Sequence, residues 1–313
     1  MTLALLCTGQ GHQHTEMFRL TGRLAATQVL FDAATPLLRW DPRDMAHCAD
    51  SDLFANRPAQ VLCTLQALAA QAALRDALPR RLCVAGYSVG ELAAWGVAGG
   101  VTPLQTLHLA ADRADAMDLA CQGAQGLLAV RGLDERTMRA LCEESHAAIA
   151  IANPDSAWVV GGLLSDLDAV AQAARQCGAA RVTPLRVAVA SHTPLMLAAA
   201  QAFEEHLFAV PLAQKLPAGV RLFAGIDGAA VFDVREGAGR LAAQIAQTIR
   251  WDACLQGCVE AGATAFLELG PGHALADMAA AAYPGIPARS LDAFATLDSA
   301  RAWITRVTST PGY

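Results

Sequence analysis

The sequence predicts an α/β layer domain with a mostly parallel sheet, interrupted by a small inserted β-α-β-β-α-β subdomain. Two observations predict the first part. Short apolar runs at Leu3–Cys7 and Leu82–Ala85 each end in a glycine-rich turn, and long Ala-rich stretches of helical spacing separate them. The third observation is a change of texture after Gly123. There strand and helix patterns alternate within about 65 residues, in the order of a ferredoxin-like unit.

In chain order, Leu3–Cys7 reads as a buried strand running into the tight loop Gly9-Gln10-Gly11. Residues 16–40 and 58–77 show helical spacing. Leu82–Ala85 is a second strand, followed by Gly86-Tyr87-Ser88-Val89-Gly90 and a helical pattern from Glu91 to Ala98. Thr102-Pro103 reads as an N-cap with proline at the first helical position, opening a helix to about Ala120. Within the insert, strands are expected at 125–131, 147–152, 157–161 and 180–187, and helices at 134–145 and 165–177. Helical texture returns near Pro194. Strands are expected at 220–224 and 264–269, and helices at 237–248, 252–261 and 273–282.

Composition narrows the function classes. The chain has 313 residues, 54% hydrophobic and 17% charged, enough for a large core. The net charge of −6, without a dense Lys/Arg tract, argues against a nucleic-acid partner. An anionic substrate would need a specific cation in its pocket. No apolar run is long and clean enough for a membrane span. The nine cysteines form no CxxC pair. Cys142/His146 and Cys254/Cys258, at i,i+4, are read as chance pairings in an Ala-rich chain rather than a zinc site. The odd cysteine count and an N-terminus without a basic n-region suggest reduced thiols and a cytoplasmic location.

Gly86-x-Ser88-x-Gly90 between a strand and a helix has the form of a nucleophile elbow. A sharp strand–turn–helix holds the serine at a strained backbone position, and flanking glycines remove the clashes. The following helix directs its positive end at the serine oxygen. The bland reading is a glycine-rich turn with an incidental serine. Val89 N–H, following the nucleophile, is one candidate donor to an oxyanion.

Gly86-Tyr87-Ser88-Val89-Gly90-Glu91-Leu92-Ala93-Ala94 resembles the elbow of malonyl-CoA:acyl-carrier-protein transacylases. Three further segments resemble the same family in order: Gly9-Gln10-Gly11-His12-Gln13, Ser191-His192 with Pro194-Leu195-Met196, and Glu268-Leu269-Gly270-Pro271-Gly272. The resemblance spans about residues 3–282. It implies an α/β-hydrolase-like catalytic domain over 1–122 and 190–313, carrying a ferredoxin-like subdomain over 123–189. It implies a Ser88 nucleophile with His192 as its base, and Gln10 N–H as second oxyanion donor. It implies that Arg113 clamps the free carboxylate of a malonyl group, for which a guanidinium fork is suited and an ammonium is not. Asp112 and Asp115 beside Arg113 favour instead a solvated helix face. Asn153 matches an asparagine near the family's site and is carried over as a substrate contact, although Asn153-Pro154 is also a turn signal. His273 reads as a helix N-terminal residue rather than a ligand. The family orients its histidine with a main-chain carbonyl, which here falls near Arg250. No cofactor is permanently bound, malonyl-CoA is the donor, and the partner is an acyl carrier protein with a phosphopantetheine-type thiol arm.

Three residues depart from the family. Thr8 stands where proline is usual, Tyr87 where histidine is usual, and Arg250 where glutamine commonly precedes Trp251. With these departures the sequence is similar to the epsilon subunit of bacterial malonate decarboxylase. That subunit's acceptor is a decarboxylase carrier with a phosphoribosyl-dephospho-CoA arm. The alternatives are the transacylase of fatty-acid or polyketide synthesis, a serine hydrolase or thioesterase, and a non-catalytic carrier-binding module.

Overall fold

The computed structural model describes residues 1–48 and 52–309. The chain enters through β1 (Thr2–Cys7), buried along its whole length. Turns over 15–23 then lead into α1 (Gln28–Leu38) and α2 (Pro42–His47), and α3 (Asn56–Leu74) follows. The helix expected over 16–40 is therefore broken. Gly22 N–H closes a turn on Phe18 C=O at 2.7 Å, and the Thr27 hydroxyl donates to Thr21 C=O, local bonds that compete with a continuous helix.

β2 (Leu82–Gly86) lies parallel to β1 in the register Cys7↔Gly86. It feeds α4 (Val89–Ala98), a helix buried all round, and then α5 (Pro103–Ala120), whose N-cap is Thr102 as expected. The insert follows as β3 (Gln125–Arg131), α6 (Glu135–Glu144), β4 (Ala148–Asn153), β5 (Ala157–Leu163), α7 (Leu164–Gln176) and β6 (Arg181–Pro184). After it come α8 (Leu197–Ala209), β7 (Val220–Leu222), α9 (Val234–Ala243), β8 (Ile249–Arg250), α10 (Trp251–Glu260), β9 (Ala263–Glu268), α11 (Ala274–Ala282), β10 (Ala288–Ser290) and α12 (Leu297–Thr308).

The large sheet has the order β10-β9-β1-β2-β7, and every pair in it is parallel. Its central strands are apolar runs because helices cover both faces. The second sheet has the order β6-β3-β5-β4-β8. Its first four strands pair antiparallel in the ferredoxin-like order. β8 comes from outside the insert and joins the edge of that sheet parallel to β4. The two sheets are thus stitched together by a two-residue strand that no apolar run announces.

The carboxyl ends of β1 and β2 carry the glycine-rich turns, so the loops meet at one edge of the large sheet, where open α/β sheets bind ligands. Packing there leaves no room for side chains. A Cβ on Gly90 would land on the Cys7 carbonyl, and one on Gly86 would land on the Gly90 carbonyl. Gly90→Ala is expected to destabilise the protein by at least about 2–3 kcal/mol, because backbone rather than a flexible side chain must yield. Gly285→Ala, where an added Cβ meets nothing within 4 Å, serves as the neutral control. Urea unfolding of the two variants checks the difference, and equal midpoints would overturn it.

Candidate active site

Between the end of β2 and the start of α4 only Tyr87 and Ser88 remain to reverse the chain. Ser88 takes up the strain, with φ 57° and ψ −122°. The turn is pinned on both sides. Tyr87 N–H donates to Cys7 C=O at 3.0 Å, and Gly90 N–H and Glu91 N–H donate back to Tyr87 and Ser88 C=O, each at 2.9 Å. Val89 opens α4, so its N–H has no carbonyl four residues back within the helix and points from the positive end of the helix.

Ser88 Oγ lies 2.8 Å from His192 Nε2. His192 is 1% exposed and sits in a loop at φ 64°, with its own N–H donating to Ile245 C=O at 2.8 Å. Its Nδ1 lies 2.5 Å from Gln244 C=O. A carbonyl can only accept, so Nδ1 carries the proton and Nε2 presents its lone pair to the serine hydroxyl. Burial lowers the pKa of this histidine to about 3. The Arg113 charge adds to the fall, and the Gln244 carbonyl opposes it. The ring is therefore a neutral acceptor at neutral pH.

Arg113 is 1% exposed. Nη1 donates to Gln60 Oε1 at 2.7 Å and approaches Met117 Sδ at 3.2 Å, Nη2 donates to Gln244 Oε1 at 3.4 Å, and Nε has no partner. No carboxylate forms an ion pair with it among the described residues. The solvated face suggested by Asp112 and Asp115 is absent. Asp115 pairs with Arg57 and Asp112 with His206. Helical residues one or two apart point about 100° or 200° away from each other, so sequence neighbours of Arg113 face elsewhere. Burial lowers its pKa to about 10, opposed by the Glu91 charge, which leaves it cationic at neutral pH.

The Gly9–Gln13 loop packs on the elbow. A Cβ on Gly9 would stand 2.6 Å from Tyr87 C=O and 3.5 Å from Ser88 Cβ, so Gln10 follows directly on the residue that touches the turn. Gln13 holds the loop closed, accepting from Gly11 N–H at 2.5 Å and donating to Leu53 C=O at 2.8 Å. Thr8, the departure from proline, donates to Glu268 Oε1 at 3.0 Å, and Glu268 Oε2 accepts from Ala276 N–H at 2.8 Å. The first and last glycine motifs are thereby bonded to each other.

A cavity of about 600 Å³ opens beside the elbow, lined by Gly9, Gln10 and Tyr87 on the large-domain side and by Asn153 and Trp158 on the small sheet. Asn153 Oδ1 is buried without a partner. Tyr87 packs edge-on against Trp251, 5.5 Å between ring centroids, and its hydroxyl is within reach of the Asn153 side chain. Burial pushes the Tyr87 hydroxyl up to about 12.

One expected placement is corrected. The carbonyl that meets His192 belongs to Gln244, not Arg250. α9 ends at Ala243, short of the expected 248, and leaves Gln244 at its C-cap with a carbonyl free of the helix ladder. Arg250 is in β8 instead, where its N–H donates to Gly225 C=O and its guanidinium pairs with Asp252. Gln60 and Gln244, which hold Arg113, were not singled out from the sequence; each is one glutamine among several in an Ala-rich helical stretch. His273 is the N-cap of α11, with its ring bonded to Asp277. Among the described residues no group of three or more His, Cys, Asp or Glu is placed to hold a metal, and no helix is long and apolar enough to cross a membrane.

The depressed pKa of His192 has a direct readout. Its folded value lies below the ordinary 6.5, so the ring stays neutral through that range and protonates only toward about pH 3. NMR of the His192 ring protons should show no titration step between pH 5 and 8. A step near 6.5 would mean that the ring is solvated.

The acyl transferase domain model matches residues 5–282. The malonyl CoA-acyl carrier protein transacylase of Mycobacterium bovis is 32% identical over 310 residues, covering 95% of this chain and 98% of that protein. Two crystal structures superpose closely. The acyl-carrier-protein S-malonyltransferase of Burkholderia pseudomallei has a TM-score of 0.89 at 28% identity, covering 96% of this chain and 100% of that one. MCAT from Mycobacterium tuberculosis has a TM-score of 0.87 at 30% identity, covering 96% and 99%. The match extends across both sheets and all four glycine- or histidine-bearing segments, and the chain belongs to the acyl transferase domain family, a family of transferase enzymes.

Proposed function

We propose that this chain moves a malonyl group from malonyl-CoA, through a Ser88 ester, to the thiol of an acyl carrier protein. The observation that carries the reading is a buried arginine without a carboxylate partner, close enough to the serine–histidine pair that its charge depresses His192. An uncompensated interior cation is costly, and a substrate carboxylate removes that cost.

Ser88 Oγ attacks the thioester carbonyl carbon while its proton passes to His192 Nε2. The oxyanion lies before Val89 N–H and Gln10 N–H. The C–S bond then breaks, and the proton on Nε2 goes to the departing thiolate. In the second half the carrier thiol gives its proton to the same nitrogen and attacks the ester, and Ser88 recovers a proton as it leaves. The Gln244 carbonyl keeps the tautomer that both halves need. Arg113 holds the far carboxylate of the acyl group, and Asn153 Oδ1 offers an unused acceptor to a donor on the substrate arm.

A hydrolase would more often orient its base with an acid, and here the acceptor is a peptide carbonyl. The carrier is read as one bearing phosphopantetheine, in line with the malonyl CoA-acyl carrier protein transacylases of Mycobacterium bovis and Bacillus subtilis. A second reading, a malonate decarboxylase carrier with the longer phosphoribosyl-dephospho-CoA arm, is favoured by Tyr87 and by Thr248-Ile249-Arg250-Trp251. Tyr87 stands on the cavity wall against Trp251, where it can bear on the arm.

After incubation with labelled malonyl-CoA, intact-mass spectra should show one malonyl adduct on the protein and none on Ser88→Ala. The adduct should pass to a phosphopantetheinylated carrier. Free malonate alone would mark a hydrolase, an adduct persisting on Ser88→Ala would move the nucleophile, and transfer to the longer-armed carrier alone would establish the second reading.

Arg113→Ala removes the carboxylate's partner. The loss of one member of a buried pair costs about 3–5 kcal/mol, or roughly 10²–10³-fold or more in malonyl transfer. Acetyl-CoA has no such carboxylate, so the variant should gain relative activity toward it, and Arg113→Lys should recover part of the malonyl rate. Rates with both thioesters decide, and equal losses for the two would return Arg113 to a structural role.

A further inference from the structure

One buried ionisable side chain near the site takes no part in the steps above. Glu91 lies on the first turn of α4, three residues past Ser88, and is 0% exposed. Neither carboxyl oxygen has a hydrogen-bond partner of good geometry. The group is wedged against the backbone of Gly225, where an added Cβ would collide with Oε2.

The charged and titratable groups facing it come from three directions. Arg113 reaches it from α5, Asp227 from the loop after β7, and Cys254 from α10. Asp227 is exposed and paired with Arg240 at 3.2 Å. The Cys254 thiol donates to Ala224 C=O at 3.5 Å, and burial keeps it protonated. Arg113 is the cation among these, and Glu91 is the acid whose charge it feels. The two are in electrostatic range without forming an ion pair.

A carboxylate buried in this way, with no donor in good hydrogen-bond geometry, is carried at lowest cost as the neutral acid. Burial pushes Glu91 up to about 8, against the pull of the Gly225 N–H and of Arg113.

We propose, resting on the malonyl reading above, that Glu91 is the internal counter-charge that tunes Arg113. As the neutral acid it leaves the guanidinium free for a substrate carboxylate, and once ionised it competes with that carboxylate for the cation. Glu91 touches no substrate and acts through Arg113, so it is a positioning residue. It is the reason the preference for an acidic acyl group depends on pH.

The sign follows from the charges. Below its titration Glu91 is neutral and the pocket carries the Arg113 cation. Above it the pocket is neutral overall, and malonyl binding weakens or must draw a proton back onto Glu91. Acetyl binding has no such coupling.

The test uses the full chain carrying Ser88→Ala, so that binding is read without turnover. Dissociation constants for malonyl-CoA and acetyl-CoA are measured from pH 6.5 to 9.5, with and without Glu91→Gln. Both ligands carry the same coenzyme, so its phosphates cancel in their ratio. With Glu91 present, the preference for malonyl should fall about tenfold between pH 7 and 9.5, the size of one charge acting across several ångström of protein interior. With Glu91→Gln the preference should hold its pH 7 value throughout. The same slope in both proteins, or a flat ratio with Glu91 present, overturns the proposal. If malonyl is not preferred even at pH 7, the Arg113 reading itself fails and this proposal falls with it. Should Glu91→Gln not fold, calorimetry at pH 9 in two buffers of different ionisation enthalpy gives the answer on Ser88→Ala alone. Proton uptake with malonyl-CoA and none with acetyl-CoA supports the coupling, and no uptake with either overturns it.

Discussion

The close approach of three backbone segments at Ser88 is the constraint on which the site depends. A sharp strand–turn–helix presents a serine at its tip, and here the chain reverses within two residues between β2 and α4. That reversal brings Gly90 onto the Cys7 carbonyl, Gly86 onto Gly90, and Gly9 onto Tyr87, with no space for a Cβ at any of them. Because Tyr87 N–H bonds to Cys7 C=O, the turn is also tied to the neighbouring strand. β1 and β2 must therefore pair in the register Cys7↔Gly86, and the Gly9–Gln13 loop leaves β1 already pressed against Tyr87 and Ser88. One backbone requirement thus sets the strand pairing, the position of the Gly9–Gln13 loop and the direction of the helix N-terminus.

The electrostatics have a matching logic. The histidine needs a fixed tautomer, and in many serine enzymes an acid supplies it. A carboxylate beside His192 would also sit near Arg113 and neutralise that cation. A peptide carbonyl fixes the same tautomer with no net charge. Gln244 serves both sides, since its backbone accepts from His192 while its side chain accepts from Arg113 and donates to Ser88 C=O at 3.0 Å. The uncharged acceptor and the unpaired cation are two consequences of one requirement.

Much of the large sheet and the insert was legible because their signals are local. Apolar runs ending in glycine turns, the Thr102-Pro103 cap and the alternation over 125–184 each reflect a single segment's own preferences. What was missed depends on tertiary contacts. β8 is two residues long and exists because it pairs with β4. β10 has three residues and no apolar run, and it forms against β9. α12 did carry a readable cap, a reciprocal Thr296–Ser299 box, but it lies beyond the segment that the family motifs drew attention to. In the site, the fold brings Ser88, His192 and Arg113 together. The acceptor carbonyl was misplaced because a backbone oxygen leaves no mark on residue identity. It is fixed by where α9 ends, and helix ends are the least certain feature of a sequence pattern. Asp112 and Asp115 misled for a different reason, since adjacency in sequence is not adjacency on a helix.

The insert is joined to the chemistry more closely than its separate sheet suggests. The chain leaves Gln244, whose carbonyl meets His192, and enters β8 at the edge of the small sheet five residues later, at Ile249. Asn153 ends β4, the strand that β8 pairs with, and its side chain lies within reach of the Tyr87 hydroxyl on the cavity wall. The small sheet is therefore connected both to the histidine's acceptor and to the cavity wall. The large sheet holds Ser88 through its own backbone bonds. Of these two wall residues, Asn153 lies outside the strained turn at Ser88, whereas Tyr87 is one of its two residues. Thr8 lines the cavity, and its hydroxyl donates to Glu268, which ties the first and last glycine motifs together on the large-domain side.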